Sequence, residues 1–394
     1  MRKLILLLTC VASTFLTNAG IMPADTVAPV PGKFTFSGYM DTYYMANFNN
    51  PQDRLNTGVN GTARAFDQRA GQFQLGLIQT KGTYTSDKID AVIDLTFGNN
   101  ADLGNYGNTV SLNTGAATSS ALVIKQAYMT LKATPKLSFT AGQFGTHIGY
   151  EVIDAPVNYN YSLSNLFNNG PFYHLGVKAQ YAFSDKVYLM AGIVNNVDRN
   201  FDNNRAKGFI SQLFFAPVSG WNVYLNAIVS NEANVRSTGT DSTGNYALFD
   251  LTATYQITPR FFLGLNAATG SQKGGYQQGN PYFTGTAVAD RQSAATWGGV
   301  AVYGNYTFSD KVGFGARYEM FDNESGARAL VAADGSGVGV NSLTFTGNFT
   351  VADGHLLLKP ELRVDSYSKN KFIDGDGNLT TSQTTLGLAA IFKY

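Results

Sequence analysis

Apolar and polar side chains alternate residue by residue through one segment of this chain after another. Tyr173, Leu175, Val177, Ala179, Tyr181 and Phe183 oppose His174, Gly176, Lys178 and Gln180. Ala247, Phe249, Leu251, Ala253 and Tyr255 oppose Asp250, Thr252, Thr254 and Gln256. Val312, Phe314, Ala316, Tyr318 and Met320 oppose Lys311, Gly313, Gly315, Arg317 and Glu319. Leu356, Leu358, Leu362 and Val364 oppose Lys359, Glu361, Arg363 and Asp365. A period of two sends successive side chains to opposite faces of a strand. The pattern predicts strands near 33–47, 71–84, 88–98, 121–132, 136–149, 172–183, 187–197 and 207–216. It continues near 220–231, 245–257, 260–271, 295–308, 311–322, 340–351, 355–367 and 382–394, about sixteen strands in all.

The connections sort themselves by length. Ser86-Asp87-Lys88, Ser184-Asp185-Lys186 and Ser309-Asp310-Lys311 repeat one tight turn three times. Thr134-Pro135-Lys136, Pro217-Val218-Ser219-Gly220, Thr258-Pro259-Arg260 and Ala352-Asp353-Gly354 supply the other short ones. Between them lie longer stretches rich in Asn, Gly, Asp and Ser, such as Asn99–Ser120, Gln272–Ala294 and Asn323–Gly339. A soluble all-β protein has no reason to alternate short and long so strictly. Half-apolar strands of this length, short turns on one side and long loops on the other are what a transmembrane β-barrel requires. In lipid the apolar face is needed, and closure removes the sheet edges. Trp221, Tyr255, Phe183, Phe308 and Tyr394 sit at strand ends, as an interfacial girdle does. The expected fold is therefore all-β, an antiparallel up-and-down barrel of about sixteen strands.

Both ends of the chain fit that expectation. Met1-Arg2-Lys3 is a short basic head, Leu4 to Leu16 an apolar run, and Thr17-Asn18-Ala19 a small-residue cleavage site. This reads as a secretory signal over 1–19, too short to span a bilayer. A lipoprotein signal using Cys10 is the competing reading, weakened by its short apolar run and by Thr9. Residues 20–32, with Pro23, Pro29 and Pro31, read as a periplasmic lead-in, and 33–394 as the barrel. The last strand stops on Phe392 and Tyr394, the kind of terminal aromatic that the barrel-assembly machinery recognises.

Composition narrows the class further. Charged residues make up 14%, well under the roughly 25% of soluble domains. Aromatic residues reach 13%, yet mean hydropathy is only −0.10. Losing Arg2 and Lys3 with a signal moves the formal charge from +1 to −1, which offers nucleic acid nothing to bind. Cys10 is the single cysteine, so the mature chain carries no disulfide.

Sixteen strands enclose an aqueous channel, whereas eight enclose only their own side chains. The polar faces predict passive diffusion of small polar solutes, with no cofactor and no catalysis. His147, His174 and His355 stand beside no nucleophile motif, and HExxH, CxxC and P-loop spacings are absent. Asp374-Gly375-Asp376-Gly377-Asn378 opens like a calcium loop, but Leu379 and Thr385 break the pattern. The third long connection, 151–171, holds Asn158-Tyr159-Asn160-Tyr161 and Leu166-Phe167, too apolar for a free loop. It is placed to fold inward and narrow the pore. Glu151 and Asp154 at its base would then face Arg317, Glu319, Lys359, Glu361, Arg363 and Asp365 across the lumen, with Lys178 and Asp250 lining other strands. Two readings of these charges stand. Either they set up a transverse field on passing solutes, or they pair on a wet wall with weak net effect.

Phe36-Ser37-Gly38-Tyr39-Met40-Asp41-Thr42-Tyr43-Tyr44 with Asn49-Asn50-Pro51 resembles the first strand of the OmpL-like β-barrel porin-2 family. Gln126-Ala127-Tyr128, Gly142–Glu151, Asn158–Ser162 and Phe172–Val177 resemble its central block. The resemblance implies an outer-membrane barrel of a Gram-negative bacterium with porin activity and brings no catalytic or ligand residues. Outer-membrane lipid, the assembly machinery and small polar solutes are the expected partners, and a homotrimer is open. The alternatives are a barrel plugged by its loops, serving as receptor, adhesin or structural protein, and a barrel-embedded enzyme. A TonB-dependent receptor needs a longer chain.

Overall fold

The computed structural model describes residues 32–60, 62–105, 123–200, 202, 204–232, 245–272 and 295–394. The expected signal and nearly all of the lead-in lie outside the described residues. In chain order the strands are β1 (Lys33–Asn47), β2 (Phe73–Thr85), β3 (Ile89–Phe97), β4 (Ile124–Lys132), β5 (Leu137–Gly145) and β6 (Tyr173–Ser184). There follow β7 (Val187–Val194), β8 (Gly208–Phe215), β9 (Trp221–Asn231), β10 (Asn245–Thr258), β11 (Phe261–Gln272) and β12 (Ala295–Ser309). The last are β13 (Val312–Asn323), β14 (Val338–Val351), β15 (Leu356–Tyr367), the two-residue pair β16 (Phe372–Ile373) and β17 (Leu379–Thr380), and β18 (Ser382–Lys393). Two short helices, α1 (Asn99–Gly104) and α2 (Asn165–Asn169), lie in the long connections.

β1 to β15 and β18 form one closed barrel in which each strand pairs with its sequence neighbours. All of these pairings are antiparallel. β18 returns to β1, Tyr39 standing opposite Lys393 and Asn47 opposite Thr385, and Tyr394 N–H donates to Gly38 O at 3.1 Å. All sixteen expected strands are present, and their connections alternate short and long as the turn chemistry implied. β16 and β17 make a separate hairpin inside the last long connection; a strand of two residues leaves no periodic trace in a sequence. The largest shift is at β5, expected to 149 but ending at Gly145, where the chain leaves the wall and turns inward. The expected start of the fourth strand, 121–122, lies outside the described residues.

Alternation sorts the two faces of the wall. Phe183, Trp221, Tyr255, Phe308 and Tyr394 are exposed on the outside near the short turns, as an interfacial belt requires. On the inside, Thr344, Thr346, Arg317, Glu319, Arg363 and Asp365 are almost fully buried. One expectation needs correction: the inner face is not uniformly polar. Ile210, Ile228, Leu248, Trp297 and Phe321 point inward and join a buried apolar cluster with the loop residues Ala63, Leu330 and Phe372. Loops that enter a lumen must bury apolar surface to hold their place, and the wall residues they meet are apolar accordingly.

Val302, midway along β12 and 46% exposed, faces outward. Val302→Arg is expected to lower stability in lipid by roughly 2–4 kcal/mol. The same arginine at the inward, exposed Gln180 is expected to change it by no more than about 0.5 kcal/mol. Equilibrium unfolding in vesicles measures both.

Candidate functional site

The connection between β5 and β6 runs through the lumen to the far wall. At its base Thr146, beyond the end of β5, hydrogen-bonds His174 at 3.0 Å, and His147 Nε2 meets Ala227 O at 3.1 Å. Gly149 takes φ +90, a conformation that favours glycine, and its N–H reaches Asp250 at 3.2 Å. The chain then crosses to β13–β15. Ser164 caps α2 by accepting from Phe167 N–H at 3.1 Å, and Gly170 and Pro171 release the chain toward β6.

Inside a barrel whose own strands are already paired, the loop's backbone has no ladder to join. Charged side chains of the wall take that role. Glu361 on β15 accepts from the N–H of Tyr161 at 2.6 Å and of Ser162 at 2.9 Å. Glu319 on β13 accepts from Asn165 N–H at 2.8 Å and Leu166 N–H at 2.7 Å, at the free N–H end of α2. The cations take carbonyls: Arg317 donates to Ser162 O at 2.7 Å, Arg363 to Leu163 O at 2.7 Å, and Lys359 to Asn158 O. Glu151 closes the set, pairing with Arg317 and accepting from Ser164 N–H at 2.8 Å. Acids and bases alternate along the wall as N–H and C=O alternate along the loop. Hydrogen bonds with an ionised partner are about twice as strong as neutral ones, and burial raises the cost of losing one.

The geometry also fits at close range. A Cβ built on Gly315 of β13 would lie 3.1 Å from Tyr159 Cβ, so even the smallest side chain there would need the loop to give by a few tenths of an ångström. Asn160 donates to Thr346 at 2.8 Å and Asn348 to Tyr159 O at 3.1 Å. The Tyr161 hydroxyl reaches Asp41 at 2.6 Å, and burial together with that carboxylate raises the phenol well above its ordinary pKa.

Of the ten residues singled out in the sequence, seven meet at this contact: Glu151, Arg317, Glu319, Lys359, Glu361, Arg363 and Asp365. Arg317 pairs with Glu151 and Arg363 with Asp365, but on a buried wall rather than a wet one, with the loop backbone as an added partner. Asp154 does not join them; it pairs with Lys125 of β4 at 2.5 Å and accepts from Gln79 at 2.8 Å. Lys178 lies 4.2 Å over the Phe144 ring. Asp250 on β10 sits with Asn226 at 2.7 Å, where the base of the loop leaves the wall. Sequence reasoning missed Arg64, which enters from the first long connection to reach Asp365 at 2.8 Å and Asp67 at 2.5 Å. It also missed Lys371, whose ammonium donates to Val59 O at 2.7 Å and Val331 O at 2.8 Å. Neither carries a periodic signal, since both sit on irregular chain.

The interior is divided by this arrangement. On β13 and β15 the charged residues are covered by the loop. On β6 to β9, Lys178, Gln180, Gln212, Asn222 and Tyr224 keep some exposure toward the lumen.

A family model described as beta-barrel porin-2, OmpL-like, matches residues 33–394. The chain belongs to that family. It is accordingly a porin-like barrel of the Gram-negative outer membrane. No curated protein matches it. Among solved structures it is similar to the outer membrane channel DcaP of Acinetobacter baumannii, with TM-score 0.55 and 12% identity over 93% of this chain and 99% of that one. An anion-selective porin from Comamonas acidovorans gives TM-score 0.55 and 9% identity over 92% and 100%. The trimer form of Vibrio cholerae OmpT gives 0.53 and 13% over 92% and 100%. At these identities the likeness is one of fold, and it agrees with the closed barrel of the porin-2 chain.

Two outcomes test the anchoring. Arg317→Met leaves Glu151 buried without its ion-pair partner and is expected to cost roughly 3–5 kcal/mol, read by unfolding in detergent. His147 titrates near 4 because burial disfavours its charged form. The unfolded chain binds that proton below the ordinary value near 6.5 and the folded one does not. The contribution of His147 is therefore full above about pH 6.5 and is lost as the pH drops toward 4, by about 3 kcal/mol. His147→Gln is expected to reduce the slope of stability against pH, buried His174 beside it supplying the same sign; an unchanged slope would assign it to other groups.

Proposed function

We propose that this barrel is a diffusion channel for small polar solutes, narrowed by the loop over 151–171. The observation that supports it most is the division of the interior: one half of the wall is occupied by the anchored loop, and the other keeps polar side chains open to the lumen. A loop held on one side leaves a passage along the other. In this reading Glu151, Arg317, Glu319, Lys359, Glu361, Arg363 and Asp365 fix the constriction, while Asp154, Lys178 and Asp250 line or border it. The transport is passive, so the barrel works as a conduit rather than a catalyst and uses no cofactor. Residues 1–19 act as the export signal, Phe392 and Tyr394 present the strand to the assembly machinery, and three barrels assemble side by side in the lipid.

A second reading rests on its own observation. Ala63, Leu330 and Phe372, from three different long connections, are buried together over the inner wall, which suits a barrel closed at its outer mouth and serving as a receptor or structural protein.

Planar-bilayer recording of the refolded protein decides between them. The channel reading expects stable open steps, with ion selectivity altered in Glu151→Gln and in Arg363→Gln, because each change shifts one charge at the loop contact. A folded barrel that passes no current would contradict it and favour closure.

A further inference from the structure

Away from the two mouths, the cations of the inner wall are matched with acids. Arg317, Arg363, Lys125 and Lys132 each lie 2.5–2.8 Å from a carboxylate. Lys81 stands opposite Asp94 in the ladder, and Lys359 is two residues from Glu361 on the same face of β15. Lys178, in the middle of β6, breaks this rule. Among the described residues no carboxylate lies close enough to act on its charge. The titratable groups that feel it are His147 and His174.

Its setting holds it in place. The ammonium lies 4.2 Å over the Phe144 ring, and that ring is buried in the apolar cluster of the inner wall. A cation over an aromatic face is attracted by the ring's quadrupole, but the contact removes no charge and uses none of its N–H donors. In the ladder Thr140 stands on one side of Lys178 and Gly192 on the other. A Cβ on Gly192 would lie 2.7 Å from the Lys178 Cβ, so the glycine gives the side chain its room. The lysine is only partly buried, on the wall that the loop leaves uncovered.

The acids do not offset it. Among the described residues Asp41 and Asp250 have no cation beside them, but both are buried and spend their oxygens on N–H and O–H donors. Asp41 accepts from Leu77 and Tyr161, and Asp250 from Gly149 and Asn226. Asp90 and Asp154, which keep some exposure, are tied to Lys132 and Lys125. The unmatched charge of the open wall is therefore positive.

Low-dielectric walls focus the field of such a charge along the lumen. For an ion passing about 8 Å away in water, Coulomb's law favours an anion over a cation by roughly sixfold without screening. Screening reduces this to about twofold at 0.1 M salt and about fourfold at 0.01 M.

We propose that Lys178 gives the channel a preference for small anionic solutes, chloride and short carboxylates among them. The proposal rests on the channel reading for access, since Lys178 faces only the lumen.

Reversal potentials across a KCl gradient in a planar bilayer test it, near pH 6, where lysines are charged. Wild type is expected to pass chloride over potassium by about twofold near 0.1 M salt, and by more as the salt is lowered. Lys178→Gln is expected to bring the ratio close to one, Lys178→Glu to reverse it and Lys178→Arg to keep it, with open steps in all three. A conducting wild type that favours potassium, or neither ion, would overturn the preference and leave the channel reading standing. So would a ratio that Lys178→Gln and Lys178→Glu leave unaltered. A folded barrel that passes no current contradicts the channel reading, and the preference falls with it.

Discussion

A peptide backbone that leaves the wall of a barrel and enters its interior still has to satisfy its N–H and C=O groups. The strands cannot help, because each already bonds two neighbours. In this protein the wall answers with ionised side chains, acids toward N–H and bases toward C=O, over residues 158–166 of the inward loop. Much else follows from that solution. It explains why β13 and β15 carry charges of both signs at inward positions, why those charges are buried and why β5 ends early. It also accounts for Gly315, which lets the loop approach the wall closely. Burying so many charges is costly unless each is paired, and here each of the seven has a partner in the loop, in the wall or in both.

The asymmetry of the interior is the functional consequence. Placing the loop on one wall frees the other, and the two walls then evolve under different demands. The covered wall must match a fixed backbone. The open wall keeps Lys178, Gln180 and Asn222 partly exposed, free of any fixed backbone partner from the loop.

How much of this was visible in the sequence follows from what leaves a periodic trace. The strands were legible because a period of two survives in every one of them, and the barrel because short and long connections alternate. The inward course of the 151–171 loop was suggested by Tyr and Leu in a stretch otherwise rich in Asn. Glu151 and the charges of β13 and β15 stood out as breaks in a pattern of small polar residues. The partnership of Asp154 with Lys125 was not legible, because it depends on where the loop turns after Gly149. Arg64 and Lys371 were hidden for the same reason.

The claim on which the account depends is that Tyr159 of the loop lies against Gly315 of β13, and a disulfide tests it directly. In a chain lacking Cys10, Tyr159→Cys with Gly315→Cys brings two Cβ positions close to the separation a disulfide needs. The account expects near-complete cross-linking of the folded barrel under mild oxidation, with single-channel steps that persist before and after reduction. Two thiols that stay separately reactive toward a maleimide in the folded barrel would place the loop elsewhere and contradict it.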